Sequence, residues 1–199
     1  TVKLPNSTAV IRNFGGSSCS RSGKMTLADA LRISCNTAFA LLGEKLGADA
    51  LREQAEALGF NESFSVPMGS ATSVFPEDLD PAQTMQASIG QYDVRATALQ
   101  MALISAAIGN DGVLQKPYLI DEEVGPDLAV LSQTDPSEFG QAVSPQVAAD
   151  LREMMVGVVE NGSGRAARIS GVEVAGKTGT AQQGPGDGGG AEQDVGELR

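Results

Sequence analysis

Apolar residues recur at helical spacing in several stretches of the chain, set apart by glycine, proline and serine. Thr26 opens the first, with Leu27, Ala30 and Leu31 on one side and Asp29 at the third helical position. The pattern resumes after Asn36 with Phe39, Leu42 and Leu46 and stops near Gly47, leaving residues 34–36 as a short exposed corner. Leu51, Ala55 and Leu58 predict a further helix from about Ala48 to Leu58, ended by Gly59. Thr97 and Gln100 form a capping-box pair ahead of the apolar run Leu99 to Ile108, which Gly109-Asn110-Asp111-Gly112 closes. Ser144, with Pro145 at the first helical position, starts a helix whose Val147, Leu151, Met154, Met155 and Val158 face inward. That helix ends at Asn161-Gly162.

Strand signals are fewer. A short Thr8–Val10–Ile11 run lies inside the loop-like residues 1–24, and Leu114 to Ile120 is interrupted by Pro117. Val172, Val174 and then Lys177 to Thr180 read as another strand, broken by Gly176. Residues 60–82, with Pro67, Pro76 and Pro81, read as irregular. From Gln183 onward the chain is Gly-rich and acidic without an apolar period, so residues 183–199 are expected to be a disordered tail. No internal repeat is present.

Composition narrows the chemistry. With 41% hydrophobic residues the chain can bury a core, and with 4% aromatics and no tryptophan that core must be aliphatic. No stretch approaches the roughly 20 apolar residues that cross a bilayer, and no signal-peptide pattern opens the sequence. A membrane anchor or export signal is therefore expected only in upstream sequence. Lys and Arg number 14 against 25 Asp and Glu, and no basic patch is found, which argues against nucleic acid as a partner. Histidine is absent, removing Ser-His-Asp and Cys-His catalysis and the commonest zinc ligand. Acid–base work near neutrality then falls to lysine or a carboxylate. Cys19 and Cys35 form neither a CxxC nor a metal-ligand cluster. On composition alone they are either two buried thiols or a bridge.

Two segments carry candidate chemistry. In a strand over Lys177-Thr178-Gly179-Thr180 the two threonine hydroxyls share a face, suited to a carboxylate, beside the compact charge of Lys177. Gly179 allows another element to pack closely there. An ordinary edge strand with a surface lysine fits the tetrapeptide as well. Ser34-Cys35-Asn36 sits at the corner between two helices, where Ser-x-Asn also serves as a plain cap or turn. The order of the two segments matches the second and third members of the Ser-x-x-Lys, Ser-x-Asn and Lys-Thr-Gly set of penicillin-binding proteins and class A β-lactamases.

The likeness extends beyond these motifs. Ser88-Ile89-Gly90-Gln91, Thr97 to Ala102, Asn110-Asp111-Gly112 with Lys116-Pro117-Tyr118, Ala175-Gly176 and Ala181-Gln182 are all similar to segments of class B penicillin-binding proteins. From Leu4-Pro5-Asn6-Ser7 to Gln182 the chain most resembles the actinobacterial penicillin-binding protein A group. The resemblance implies an α/β (α+β) fold of the β-lactamase/D,D-peptidase type, present here as most of the helical subdomain plus part of the central antiparallel sheet. Residues 1–182 would form this partial transpeptidase domain, ahead of the 183–199 tail. It also implies an extracytoplasmic serine D,D-transpeptidase that cross-links peptidoglycan, takes D-Ala-D-Ala stem peptides and β-lactams as partners, and needs no metal or organic cofactor.

Carried over residue by residue, Ser34 would relay a proton toward the leaving amine and Asn36 would hold the substrate amide. Lys177 would keep the cleft electropositive, and Thr178 and Thr180, flanking Gly179, would bind the terminal carboxylate. The Thr180 N–H would be an oxyanion-hole donor. A bridge between Cys19 and Cys35 would fix the Ser-x-Asn corner in an exported protein.

One member of the set is missing. Three positions before Lys24, Lys45, Lys116 and Lys177 stand Arg21, Leu42, Val113 and Val174, so no Ser-x-x-Lys occurs. In the family that motif lies upstream of the segment matching Leu4 to Ser7, and is expected before residue 1. Further strands are expected after the lysine motif, where Gly184 to Gly190 offers none. This chain is therefore expected to be inactive alone. A non-catalytic binder of stem peptides or β-lactams, a serine β-lactamase relative and a helical interaction module are the other readings.

Overall fold

The computed structural model describes residues 1–64, 66 and 69–179. The chain divides into two compact units: Thr1–Leu51, Pro76–Val94 and the segment from Asp150 form the first, Arg52–Phe75 and Arg95–Ala149 the second. Helices α3 (Ala48–Ala57) and α6 (Pro145–Asn161) contribute residues to both.

In the first unit β1 (Val2–Lys3) and β2 (Val10–Ile11) pair antiparallel, which places Leu4 and Ile11 against Ala40 and Met85 in one aliphatic cluster. Helix α1 (Leu27–Arg32) begins as expected, with the Thr26 hydroxyl accepting from the Asp29 N–H at 3.1 Å. Helix α2 runs over Asn36–Leu46, and α4 over Pro81–Ala87. Helices α2 and α4 approach so closely at Gly43 that a Cβ there would lie 2.2 Å from the Ser88 Cβ. Helix α4 was not anticipated by the irregular reading of residues 60–82. Asp80 caps it in a reciprocal box with Gln83, and Pro81 occupies the first turn, where its missing N–H costs nothing. A proline taken for a breaker is here a starter.

In the second unit, Leu103 and Ala107 of α5 (Ala98–Gly109) bury against Leu114 of β3 (Val113–Gln115) and Ala142. Thr97 caps α5, but the expected reciprocal box does not close. The buried Gln100 side chain instead donates to the Leu58 carbonyl at 2.6 Å, satisfying a carbonyl at the end of α3. Strand β3 stops at Gln115, short of the expected Ile120, and pairs antiparallel with β6 (Glu138–Gln141). Gly112 makes the turn into it: its φ is +83°, and a Cβ would stand 2.1 Å from the Val143 carbonyl oxygen. Between them β4 (Glu122–Val124) and β5 (Val130–Gln133) form an exposed antiparallel hairpin.

Three details of the expected pattern differ. On α6 the inward position is Ala148, fully buried, while Val147 is 45% exposed. Leu27 and Leu46, apolar positions of the expected helical pattern, are 52% and 53% exposed. Residues 172–179 have no strand ladder, only an isolated bridge between Ile169 and Val172. A strand is defined by its partner, and among the described residues this segment has none. The expected tail, 183–199, lies outside the described residues.

Candidate active site

The Ser-x-Asn corner is built by the end of α1. The Ser34 N–H donates to the Leu31 carbonyl at 3.1 Å and the Cys35 N–H to the Ala30 carbonyl at 2.9 Å, a Schellman closure. The residue at its turn adopts the left-handed conformation that glycine usually fills, yet here it is Ser34, with φ 55°. Placing a side chain there costs about 1–2 kcal/mol and aims a hydroxyl from the tip of the corner.

Cys35 then serves as the N-cap of α2 but makes no side-chain cap, because its sulfur is bonded to Cys19. The capping role passes to Asn13, whose Oδ1 accepts from the Thr37 N–H at 3.0 Å. Asn36 donates through Nδ2 to the Arg12 carbonyl at 3.1 Å. The Cys19–Cys35 bridge, expected from the resemblance, is present and ties residues 12–20 to the corner.

The far end of α6 meets the same place. The Arg32 guanidinium donates to the Asn161 carbonyl at 3.1 Å, a cation at a helix C-terminus, and bonds Asp29 at 3.0 Å. Hydrogen bonds from Thr26 and then Arg32 hold the Asp29 carboxyl below its ordinary pKa. After Gly162, the Ser163 N–H donates to the Arg32 carbonyl at 3.0 Å. The extended segment that follows is anchored where the Gly176 N–H reaches the Met155 carbonyl at 3.2 Å, and a Cβ on Gly176 would lie 3.3 Å from Val159.

That anchoring delivers Lys177 to the corner. Its Nζ donates to Ser34 Oγ at 2.7 Å and to the Thr178 carbonyl at 2.8 Å, joining segments 143 positions apart. The side chain is exposed as a whole, but partial burial around its ammonium holds the pKa below the ordinary lysine value. With Lys177 donating into a Ser34 lone pair, the Ser34 proton is left to serve a third group. The Thr178 hydroxyl lies 2.7 Å from Ser163 Oγ, a residue sequence reasoning missed. Gly179 is exposed with open space beside it. Thr180, expected to complete the carboxylate site, lies outside the described residues.

A hydroxyl, a lysine and a second pair of hydroxyls thus converge, an arrangement able to attract an anion and pass a proton through Ser34 Oγ. Asn13 and Arg32 also support it unforeseen, since a lone Asn or Arg carries no spacing signal. Among the described residues no group of three or more His, Cys, Asp or Glu side chains is placed to hold a metal ion. No described helix is long and apolar enough to cross a membrane.

Residues 2–196 match the family described as the penicillin binding protein transpeptidase domain. The peptidoglycan D,D-transpeptidase PbpA of Mycolicibacterium smegmatis is 43% identical over 91% of this chain and 37% of its own length. PbpA of Mycobacterium tuberculosis is 44% identical over 92% of this chain and 38% of its length. The structure of M. tuberculosis penicillin-binding protein A as a ceftriaxone acyl-enzyme complex is similar with a TM-score of 0.87 at 44% identity, covering 92% of this chain and 41% of that one. The D,D-transpeptidase domain of a peptidoglycan glycosyltransferase from Eggerthella lenta is similar with a TM-score of 0.86 at 36% identity, over 93% of this chain and 47% of that one. The chain therefore spans less than half the length of each of these relatives. Its mixed helical and sheet architecture is an incomplete version of the fold these structures share, and the chain belongs to the penicillin-binding protein transpeptidase domain family.

Proposed function

We propose that this chain is a portion of a serine D,D-transpeptidase that cross-links peptidoglycan on the extracytoplasmic face of the bacterial membrane and is acylated by penicillins. The observation that carries the reading is the 2.7 Å contact from Lys177 Nζ to Ser34 Oγ, which unites the two motif segments. In the reaction the nucleophilic serine of a Ser-x-x-Lys segment adds to the penultimate D-alanine carbonyl, and the C–N bond to the terminal D-alanine breaks. The nucleophile's proton passes to the lysine of that segment, and Ser34 Oγ relays a proton from there to the leaving nitrogen. Lys177, donating to the same oxygen, stabilises the negative charge that builds on it. Asn36 positions the peptide amide, and the Thr178 and Thr180 hydroxyls hold the terminal carboxylate. The Thr180 N–H is one donor to the oxyanion, an interaction whose loss elsewhere costs roughly 3–4 kcal/mol. The Cys19–Cys35 bridge keeps the corner in place, as an oxidising compartment permits.

No serine lies three positions before a lysine within residues 1–199, so nucleophile and base belong to sequence outside them. The same observation supports a second reading, a binding module that holds stem peptides or β-lactams without acylation. Intact mass after incubation with benzylpenicillin separates the two. Adduct on a protein extended through a Ser-x-x-Lys segment, and none on this chain, is the expected result. Reversible binding by the extended protein without a mass increase would instead establish the second reading. Adduct on this chain itself would overturn the placing of the nucleophile.

A further inference from the structure

Ser163 lies in neither motif segment, and in the sequence Gly162-Ser163-Gly164 reads only as the end of a helix. In the fold it is held at two points. Its N–H donates to the Arg32 carbonyl at 3.0 Å, and its Oγ stands 2.7 Å from Thr178 Oγ1. The glycines on either side make that position possible. A Cβ on Gly162 would lie 2.1 Å from the Arg32 carbonyl oxygen, and one on Gly164 would lie 3.2 Å from Val158 Cγ1. The main chain around Ser163 is therefore pressed against the ends of α1 and α6, and its hydroxyl is placed by backbone rather than by rotamer choice alone.

A hydroxyl owns one proton and two lone pairs. If the Thr178 hydroxyl is to donate to a carboxylate, it must accept from whatever else it touches. Were it to donate to Ser163 instead, it would present only lone pairs to an anion and repel it. We infer that Ser163 is a positioning residue: it donates its proton to Thr178 Oγ1 and so turns the Thr178 proton toward the ligand carboxylate. No bond is made or broken; two hydroxyl rotors are locked in one sense. The inference rests on the proposed role of Thr178 as carboxylate binder. Because Arg32 is the last residue of α1, Ser163 also ties the carboxylate site to the turn that presents Ser34.

The test uses the extended protein that carries a Ser-x-x-Lys segment, acylated by benzylpenicillin and by benzylpenicillin methyl ester, which lacks the anionic carboxylate. Ser163→Ala is expected to lower the second-order acylation rate with the free acid about fivefold to tenfold, the scale of one hydrogen bond. The rate with the ester should change less than about twofold, because Thr178 has no anion to meet there. Ser163→Thr restores the hydroxyl and should restore the free-acid rate. Both variants keep the N–H that reaches Arg32, so loss through misfolding would strike acid and ester alike. An equal loss on both ligands, no loss on either, or failure of Ser163→Thr to rescue each overturns the inference while leaving the proposed function standing. If the unsubstituted extended protein is not acylated, the proposed function falls and the inference falls with it.

Discussion

Ser34 combines two demands in one residue. Its φ of 55° belongs to a position where glycine terminates helices most cheaply, while its hydroxyl is the acceptor for Lys177. Stability and proposed function therefore pull in opposite directions here. Ser34→Gly should be more stable than Ser34→Ala by about 1 kcal/mol in urea denaturation, since only glycine relieves the left-handed strain and both lose the hydroxyl. Equal midpoints for the two variants would mean that the corner is not held in that conformation. Which residues meet at the site was partly legible in the sequence. Ser34, Asn36 and Lys177 stand in spaced motifs, and two of them, Ser34 and Lys177, come into direct contact. Asn36 instead turns to the Arg12 carbonyl. Asn13, Arg32 and Ser163 act through isolated hydrogen bonds to segments distant in sequence, which leave no period or spacing to read.

At the scale of elements, capping chemistry and apolar period together fix the helix starts, and they agree with the structure at Thr26 and Thr97. They failed at Asp80-Pro81, where the proline in a Ser- and Gly-rich stretch masked a capping box, and at β4 and β5, whose exposed and partly acidic residues show no alternation toward a core. The packing of α2 on α4 depends on Gly43, a position that period alone treats as a gap. Gly43→Ala should destabilise the protein by about 1–3 kcal/mol, because its methyl meets Ser88 backed by α4. Adding Ser88→Gly opens the same space, although it gives up the Ser88 hydrogen bond to the Phe39 carbonyl. The doubly substituted protein is thus expected to melt above Gly43→Ala alone. Additive losses in the double-mutant cycle would show that the two side-chain positions do not compete for one volume.

For the whole molecule, charge and unpaired backbone oppose each other. The formal net charge of −11 favours a dispersed, monomeric chain, and much of it lies in the second unit, whose cations are Arg52, Arg95 and Lys116 and whose more numerous carboxylates include Glu122, Glu123 and Asp127. Against it, residues 172–179 run without a ladder, next to Ile169 and Val172 at 58% and 55% exposure. An exposed segment that has no partner strand among the described residues is a template for pairing with a second copy. Repulsion between like-charged copies acts through solvent and is screened by salt, whereas strand pairing at contact is much less so. Self-association of this chain should therefore rise with salt concentration. Val172→Lys, which places a charge on the segment, should suppress that rise without altering helical content. Sedimentation velocity at low and high salt, paired with far-UV circular dichroism, measures both. A chain that stays monomeric at every salt concentration would show that the segment is covered in solution. Association that survives Val172→Lys would place the contact elsewhere, and the exposed β4–β5 hairpin, with Leu128 and Leu131 at 82% and 69% exposure, is then the surface to substitute next.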